Sequence, residues 1–158
     1  MTTAHRYHQI ICVPSDEQVP LARRAVLDTF RKWGLDAQSD VAHTVRLIVS
    51  ELLTNAVRYS STVTAEITLT VEIVDGTRIR LGVHDLHPHC PIPSPAPPEA
   101  GRGRGLQIVR DLVRELSGTA FTERTDDGGK TQWVELPMTE QAADSRTARV
   151  VFADAGVC

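Results

Sequence analysis

The sequence predicts a two-layer α+β sandwich in which helices cover one face of a mostly antiparallel sheet. Three observations carry this. Apolar residues recur at helical spacing in two segments ahead of residue 61 and in a third after residue 105, and they alternate with polar ones in the stretches between. Tight turns join successive strand-like segments, which favours antiparallel neighbours. Only 4% of residues are aromatic, a composition that suits aliphatic helices packed on a sheet.

A chain of 158 residues can bury about 68–70% of its unfolded surface, so it needs neither disulfide nor metal to hold a core. Residues 1–137 are expected to form one compact domain, and 138–158 a C-terminal tail that is either mobile or adds a strand.

Taken in order, residues 7–13 (YHQIICV) are β-branched and stopped by Pro14 and Ser15, which predicts a first strand at a sheet edge. Val19, Leu21, Ala22, Ala25, Val26, Phe30 and Trp33 then give helical spacing, with Gly34 as the stop. Asp40 is the expected N-cap of the next helix, centred on residues 45–60 (VRLIVSELLTNAVRYS). Its apolar stripe is Val45, Ile48, Val49, Leu52, Leu53 and Ala56.

From residue 65 to 74 the period becomes two, with Ile67, Leu69 and Val71 on one side. Asp75-Gly76 has the composition of a type I′ turn, and residues 78–85 return as the partner strand. Residues 86–100 contain six prolines and cannot be regular structure. Residues 106–116 read as a helix ended by Gly118, and 119–124 and 130–136 as two strands joined by a turn-rich linker. In the tail, residues 147–156 are the part able to form a strand.

The formal net charge of −3 gives no support for an electrostatic nucleic-acid surface. No apolar run approaches a membrane span, and residues 1–13 lack the pattern of a secretory leader, so a cytoplasmic protein is expected. Three scattered cysteines, Cys12, Cys90 and Cys158, argue against a disulfide framework, and Cys12 is expected to be a buried strand residue.

Two features carry chemistry. Glu51, Asn55 and Arg58 fall within roughly 60° of one another around the helix axis, so a carboxylate, an amide and a guanidinium border the apolar face. Taken alone, this stripe equally describes a solvated flank. Glycines at 101, 103 and 105 ahead of a helix would let backbone N–H groups approach an anion, although a flexible loop has the same composition. A dinucleotide-binding reading fails because no strand directly precedes the glycines. A P-loop reading fails because a strand, not a helix, follows Gly129-Lys130-Thr131. His84, His87, His89 and Cys90 are potential zinc or copper ligands, but their spacing fits no common zinc pattern, so an ordinary loop is the preferred reading.

Together, Glu51-Leu-Leu-Thr-Asn55-Ala on a helix, Asp85 ending a hairpin strand, Gly103-Arg104-Gly105-Leu106 after a variable loop and Gly129-Lys130-Thr131 on a late strand resemble the Bergerat ATP-binding fold of gyrases and histidine kinases. The size, with no separate phosphoacceptor helical hairpin, looks most like the anti-sigma-factor serine kinase branch. The resemblance implies ATP and Mg²⁺ as ligands, with Asn55 as the Mg²⁺ ligand and Glu51 as the general base. It implies Asp85 as acceptor for the adenine amino group, with Thr131 supporting that contact. Gly101, Gly103, Arg104, Gly105 and Leu106 match the phosphate lid, and Arg58 would face the nucleotide. One departure is the run Asp85-Leu-His-Pro-His-Cys-Pro91, which lacks the glycines many members carry after the aspartate.

The implied function is transfer of the ATP γ-phosphoryl group to a serine or threonine of a protein partner, binding of a sigma factor, or both, the partners implied being a sigma factor or anti-anti-sigma factor. Homodimers are frequent in this branch. The alternative is a non-catalytic nucleotide-binding or partner-sequestering module.

Overall fold

A computed structural model describes residues 5–60, 62–88, 104–138 and 149–151. The element order is β1 (Arg6–Cys12), α1 (Gln18–Lys32), α2 (Asp40–Ser60), β2 (Ile67–Val74), β3 (Arg78–Asp85), α3 (Arg104–Glu115), β4 (Thr119–Arg124), β5 (Lys130–Pro137) and β6 (Arg149–Val151). The strands form one sheet in the order β1-β2-β3-β5-β4-β6. Every pairing is antiparallel except β4 with β6. The expected sandwich is therefore present, with β1 at an edge and the tail supplying β6 at the other.

One side of the sheet is dry. Ile67, Leu69 and Val71 of β2, Ile79, Leu81 and Val83 of β3, and Val134 and Leu136 of β5 are buried with Val45, Ile48, Val49, Leu52 and Leu53 of α2 and Val109 and Val113 of α3 in one cluster. Each such side chain is worth about 1.5–3 kcal/mol in burial, so the stripe on α2 fixes that helix against the sheet. Cys12 joins the cluster as expected, and burial pushes its thiol pKa up.

The helix ends refine the sequence reading in two places. α2 is capped by Ser39, whose Oγ accepts from the Ala42 N–H at 3.2 Å while its C=O accepts from His43 N–H at 3.0 Å. Asp40, the expected cap, is the first helical residue instead and places its charge at the positive helix end. α3 ends at Glu115, one residue before the expected Leu116. Ser117 takes the left-handed position, at φ 54°, and Gly118 N–H closes the turn on Val113 O at 2.8 Å. Gly118 serves packing: a Cβ there would lie 2.4 Å from Glu135 O on β5. Asp75 and Gly76 both have positive φ, 53° and 68°, as the hairpin turn requires.

The other sheet face carries an ion ladder. Arg80 donates to Glu72 Oε1 at 3.0 Å and to Glu135 Oε1 at 2.6 Å, and Arg78 donates to Glu135 Oε2 at 2.8 Å. Burial of Arg80 works against its charge, but Glu135 and Glu72 outweigh it and hold the guanidinium pKa above the usual value. None of the helices described is long and apolar enough to cross a membrane.

Candidate functional site

Two clusters contain predicted site residues. The first joins α2 to α3. Glu51 and Asn55 are half-buried on α2, one turn apart, and Arg58 is exposed in the last turn. α3 starts at Arg104 and packs on α2, which brings Gly105 directly onto Glu51: a Cβ built at Gly105 would lie 2.4 Å from Glu51 Oε2. Glu51 therefore points its carboxylate at the first turn of α3, where unpaired N–H groups favour negative charge. Leu106, the next residue, is buried in the core cluster and anchors that turn. Gly101 and Gly103 lie outside the described residues.

The second cluster is built on the paired ends of β3 and β5. Asp85 and Lys130 are opposite one another in register and almost fully buried, with side chains 1% and 3% exposed. Lys130 Nζ donates to Asp85 Oδ1 at 2.7 Å and to the backbone carbonyl of His87 at 3.1 Å. Asp85 Oδ1 also accepts from His87 N–H at 2.8 Å, which folds the chain tightly after the strand even though glycines are missing there. Thr64 fixes the same corner through its Oγ1, which accepts from Leu86 N–H at 2.9 Å.

Thr131 is not part of this cluster. The register pairs it with His84, and successive strand residues face opposite sides. Thr131 thus belongs to the sheet face away from Asp85, and the residue that meets Asp85 is Lys130. The sequence contained the signal: Val134 and Leu136 are the apolar residues of β5, so even-numbered positions face the helices, and Lys130 is one of them.

His84 points away from Asp85, as alternation predicts. Its Nε2 lies 2.9 Å from Asp127 Oδ2 and 3.2 Å from Thr125 Oγ1, and His89 and Cys90 lie outside the described residues. Asp127 also accepts from Thr125 Oγ1 and, at 2.9 Å, from Gly129 N–H. The Thr125 hydroxyl, the Gly129 amide and His84 together lower the Asp127 pKa to about 2. Because the folded value lies below the unfolded one, the stabilisation is present above about pH 4 and is lost as pH falls through about 2. A carboxyl-carbon NMR titration is expected to show Asp127 changing near pH 2, and Thr125→Ala should move that midpoint upward. A midpoint near the ordinary aspartate value in the parent would contradict this turn geometry.

Residues 40–140 match the family described as histidine kinase-, DNA gyrase B- and HSP90-like ATPase. The chain belongs to this ATP-binding family. No curated protein matches the chain. Among solved structures, the chain is similar to the blue-light activated histidine kinase EL346 of Erythrobacter litoralis, at 27% identity and TM-score 0.48, covering 64% of this chain and 34% of that one. The histidine kinase domain of the same protein is 28% identical, with TM-score 0.48 and coverage of 61% and 44%. Full-length ShkA in complex with AMPPNP is 21% identical, with TM-score 0.47 and coverage of 72% and 32%. The chain thus spans less than half of each of these structures.

Proposed function

We propose that this protein is an ATP-dependent regulator of the anti-sigma-factor serine kinase type, which transfers the γ-phosphoryl group to a serine or threonine hydroxyl of a protein partner such as an anti-anti-sigma factor, binds a sigma factor, or does both. The observation that carries the reading is the Glu51 carboxylate, which has no hydrogen bond among the described residues and sits against the first turn of α3. A carboxylate without partners is available to accept a proton, and a general base must lie within hydrogen-bond reach of the hydroxyl it activates. The α3 N-terminus offers backbone N–H groups and a favourable dipole to phosphate oxygens. The Asn55 amide oxygen, one turn from Glu51, is a hard oxygen donor of the kind Mg²⁺ prefers. Bound there, Mg²⁺ would neutralise charge on the phosphate groups. Asp85, in the second cluster, is the acceptor for the base. Phosphoryl transfer asks a protein chiefly for positioning and charge stabilisation, which these elements supply.

A thermal melt with Mg²⁺-ATP and with Mg²⁺-GTP tests the nucleotide assignment. At 100 times its dissociation constant, ATP adds about 2.7 kcal/mol, which raises Tm by roughly 5–10 °C for a domain of this size. GTP is expected to give no comparable shift. Asp85→Asn keeps an oxygen for Lys130 but presents an amide to the base, and it should lose the ATP shift. The acceptor is tested by incubation with γ-labelled ATP and a co-purified partner protein. An acid-stable phosphoester supports serine or threonine transfer, and an acid-labile phosphoramidate would replace it with histidine transfer.

Gly105→Ala separates packing from chemistry. The clash is with the far end of a flexible side chain, so stability should stay within about 1 kcal/mol of the parent. Turnover should nevertheless fall by about 10-fold or more, since a displacement of about 1 Å at a reacting group can cost on the order of 10². Unchanged turnover in a well-folded variant would show that the position of the Glu51 carboxylate is not critical.

A further inference from the structure

Lys130 is a buried cation where the family resemblance led us to expect a threonine contact, and its ion pair with Asp85 raises a question of chemistry. An ammonium has three N–H donors. Two have acceptors here, Asp85 Oδ1 and the His87 carbonyl. Asp85 in turn receives both of its hydrogen bonds on Oδ1, and Oδ2 has none among the described residues. A free acceptor therefore stands beside a cation with a donor in hand. The adjoining positions on the same sheet face are polar and incompletely satisfied too. Gln132 and Thr122 are paired in register and 1% and 2% exposed, yet Gln132 Nε2 and Thr122 Oγ1 have no hydrogen-bond partner among the described residues. Buried polar atoms in native proteins are rarely left unpaired, and a run of them beside Asp85 and Lys130 marks a surface shaped for a polar ligand.

We propose that Lys130 is a second base-reading residue, donating a hydrogen bond to ring nitrogen N1 of adenine while Asp85 Oδ2 accepts from the neighbouring N6 amino group. The inference rests on the nucleotide-binding reading of the site and adds to it a specificity determinant. Adenine presents a donor and an acceptor side by side on this edge, and Asp85 with Lys130 presents the complement. Guanine in the same pose is mismatched twice, with O6 facing the carboxylate and N1–H facing the ammonium. A site built from buried hydrogen-bonding groups rejects such an analogue far more strongly than an apolar pocket does, because its polar groups are left unpaired. The ion pair also keeps the ammonium in place before the base arrives, so the donor is oriented in advance.

The test is a binding cycle by calorimetry with Mg²⁺-ADP, Mg²⁺-GDP and Mg²⁺-1-deaza-ADP, in which N1 is replaced by C–H. In the parent protein 1-deaza-ADP is expected to bind about 10- to 100-fold more weakly than ADP, the range for a hydrogen bond to a charged group. In Lys130→Met that penalty should shrink to about 3-fold or less, and discrimination against GDP should fall with it. Lys130→Gln, which retains a donor toward Asp85, provides a second variant if the methionine protein does not fold, and it should show an intermediate penalty. Equal binding of ADP and 1-deaza-ADP by the parent would overturn the role of Lys130 alone. An equal N1 penalty in parent and variants would do the same. Failure of the parent to bind ADP at all would overturn the nucleotide pocket itself, and the inference with it.

Discussion

Glu51→Ala is expected to lower phosphoryl turnover by about 10²- to 10⁴-fold, the usual contribution of a positioned general base, while the ATP-induced rise in Tm is retained. The structure explains why the two effects should separate. The Glu51 carboxylate makes no hydrogen bond among the described residues, so its removal strands no partner, and only its interaction with the α3 N-terminus is lost, worth about 0.3–1 kcal/mol. The groups proposed to read the base, Asp85 and Lys130, form a separate buried pair. Release of labelled phosphate and the nucleotide melt, measured on the same preparation, give both quantities. A variant that turns over at the parental rate would remove Glu51 from the chemistry. One that loses the melting shift as well would make it a nucleotide ligand instead.

The largest stability effect is expected at Asp85. Replacing it by alanine leaves the Lys130 ammonium, 3% exposed, without its carboxylate, and breaking a buried pair from one side costs about 3–5 kcal/mol. For a chain of this length that corresponds to a fall in Tm of roughly 10 °C. Replacing both partners by apolar residues avoids the stranded charge, so Asp85→Ala with Lys130→Met should recover most of the loss. Denaturant melts of the parent, both single variants and the double variant measure the coupling. Additive single effects would mean that the two groups do not interact as the 2.7 Å contact indicates.

The fold was largely legible because its strongest signals are local. The helical stripe on α2, the Asp75-Gly76 hairpin and the alternation in β2 each lie within a short window, and all three elements formed where they were expected. α2 begins earlier than its central motif because Val41 and Ala42 continue the apolar stripe back to the Ser39 cap. The site was legible in part. Glu51 and Gly105, more than fifty residues apart, do come together. Asp85 meets Lys130, a pairing that side-chain parity on β5 encodes, whereas Thr131, the residue the family resemblance implies, lies on the opposite sheet face. The ion ladder of Glu72, Arg80, Glu135 and Arg78 was beyond reach of local patterns, since it depends on β3 lying between β2 and β5, a neighbourhood that only the assembled sheet defines.

The pairing of Asp85 with Lys130 also constrains how such a pocket can diverge. A one-residue insertion or deletion in the turn joining β4 to β5 would tend to exchange Lys130 for Thr131 beside Asp85, and in principle would rewrite base preference in a single event. The same slip would turn Val134 and Leu136 toward solvent and carry Trp133 and Glu135 into the core. Turn length at residues 125–129 is therefore locked by the hydrophobic layer several residues away. If Lys130 reads the base as proposed, nucleotide preference would drift across descendants of this chain by substitution at position 130, whereas changes of loop length would be filtered out before they reach the ligand.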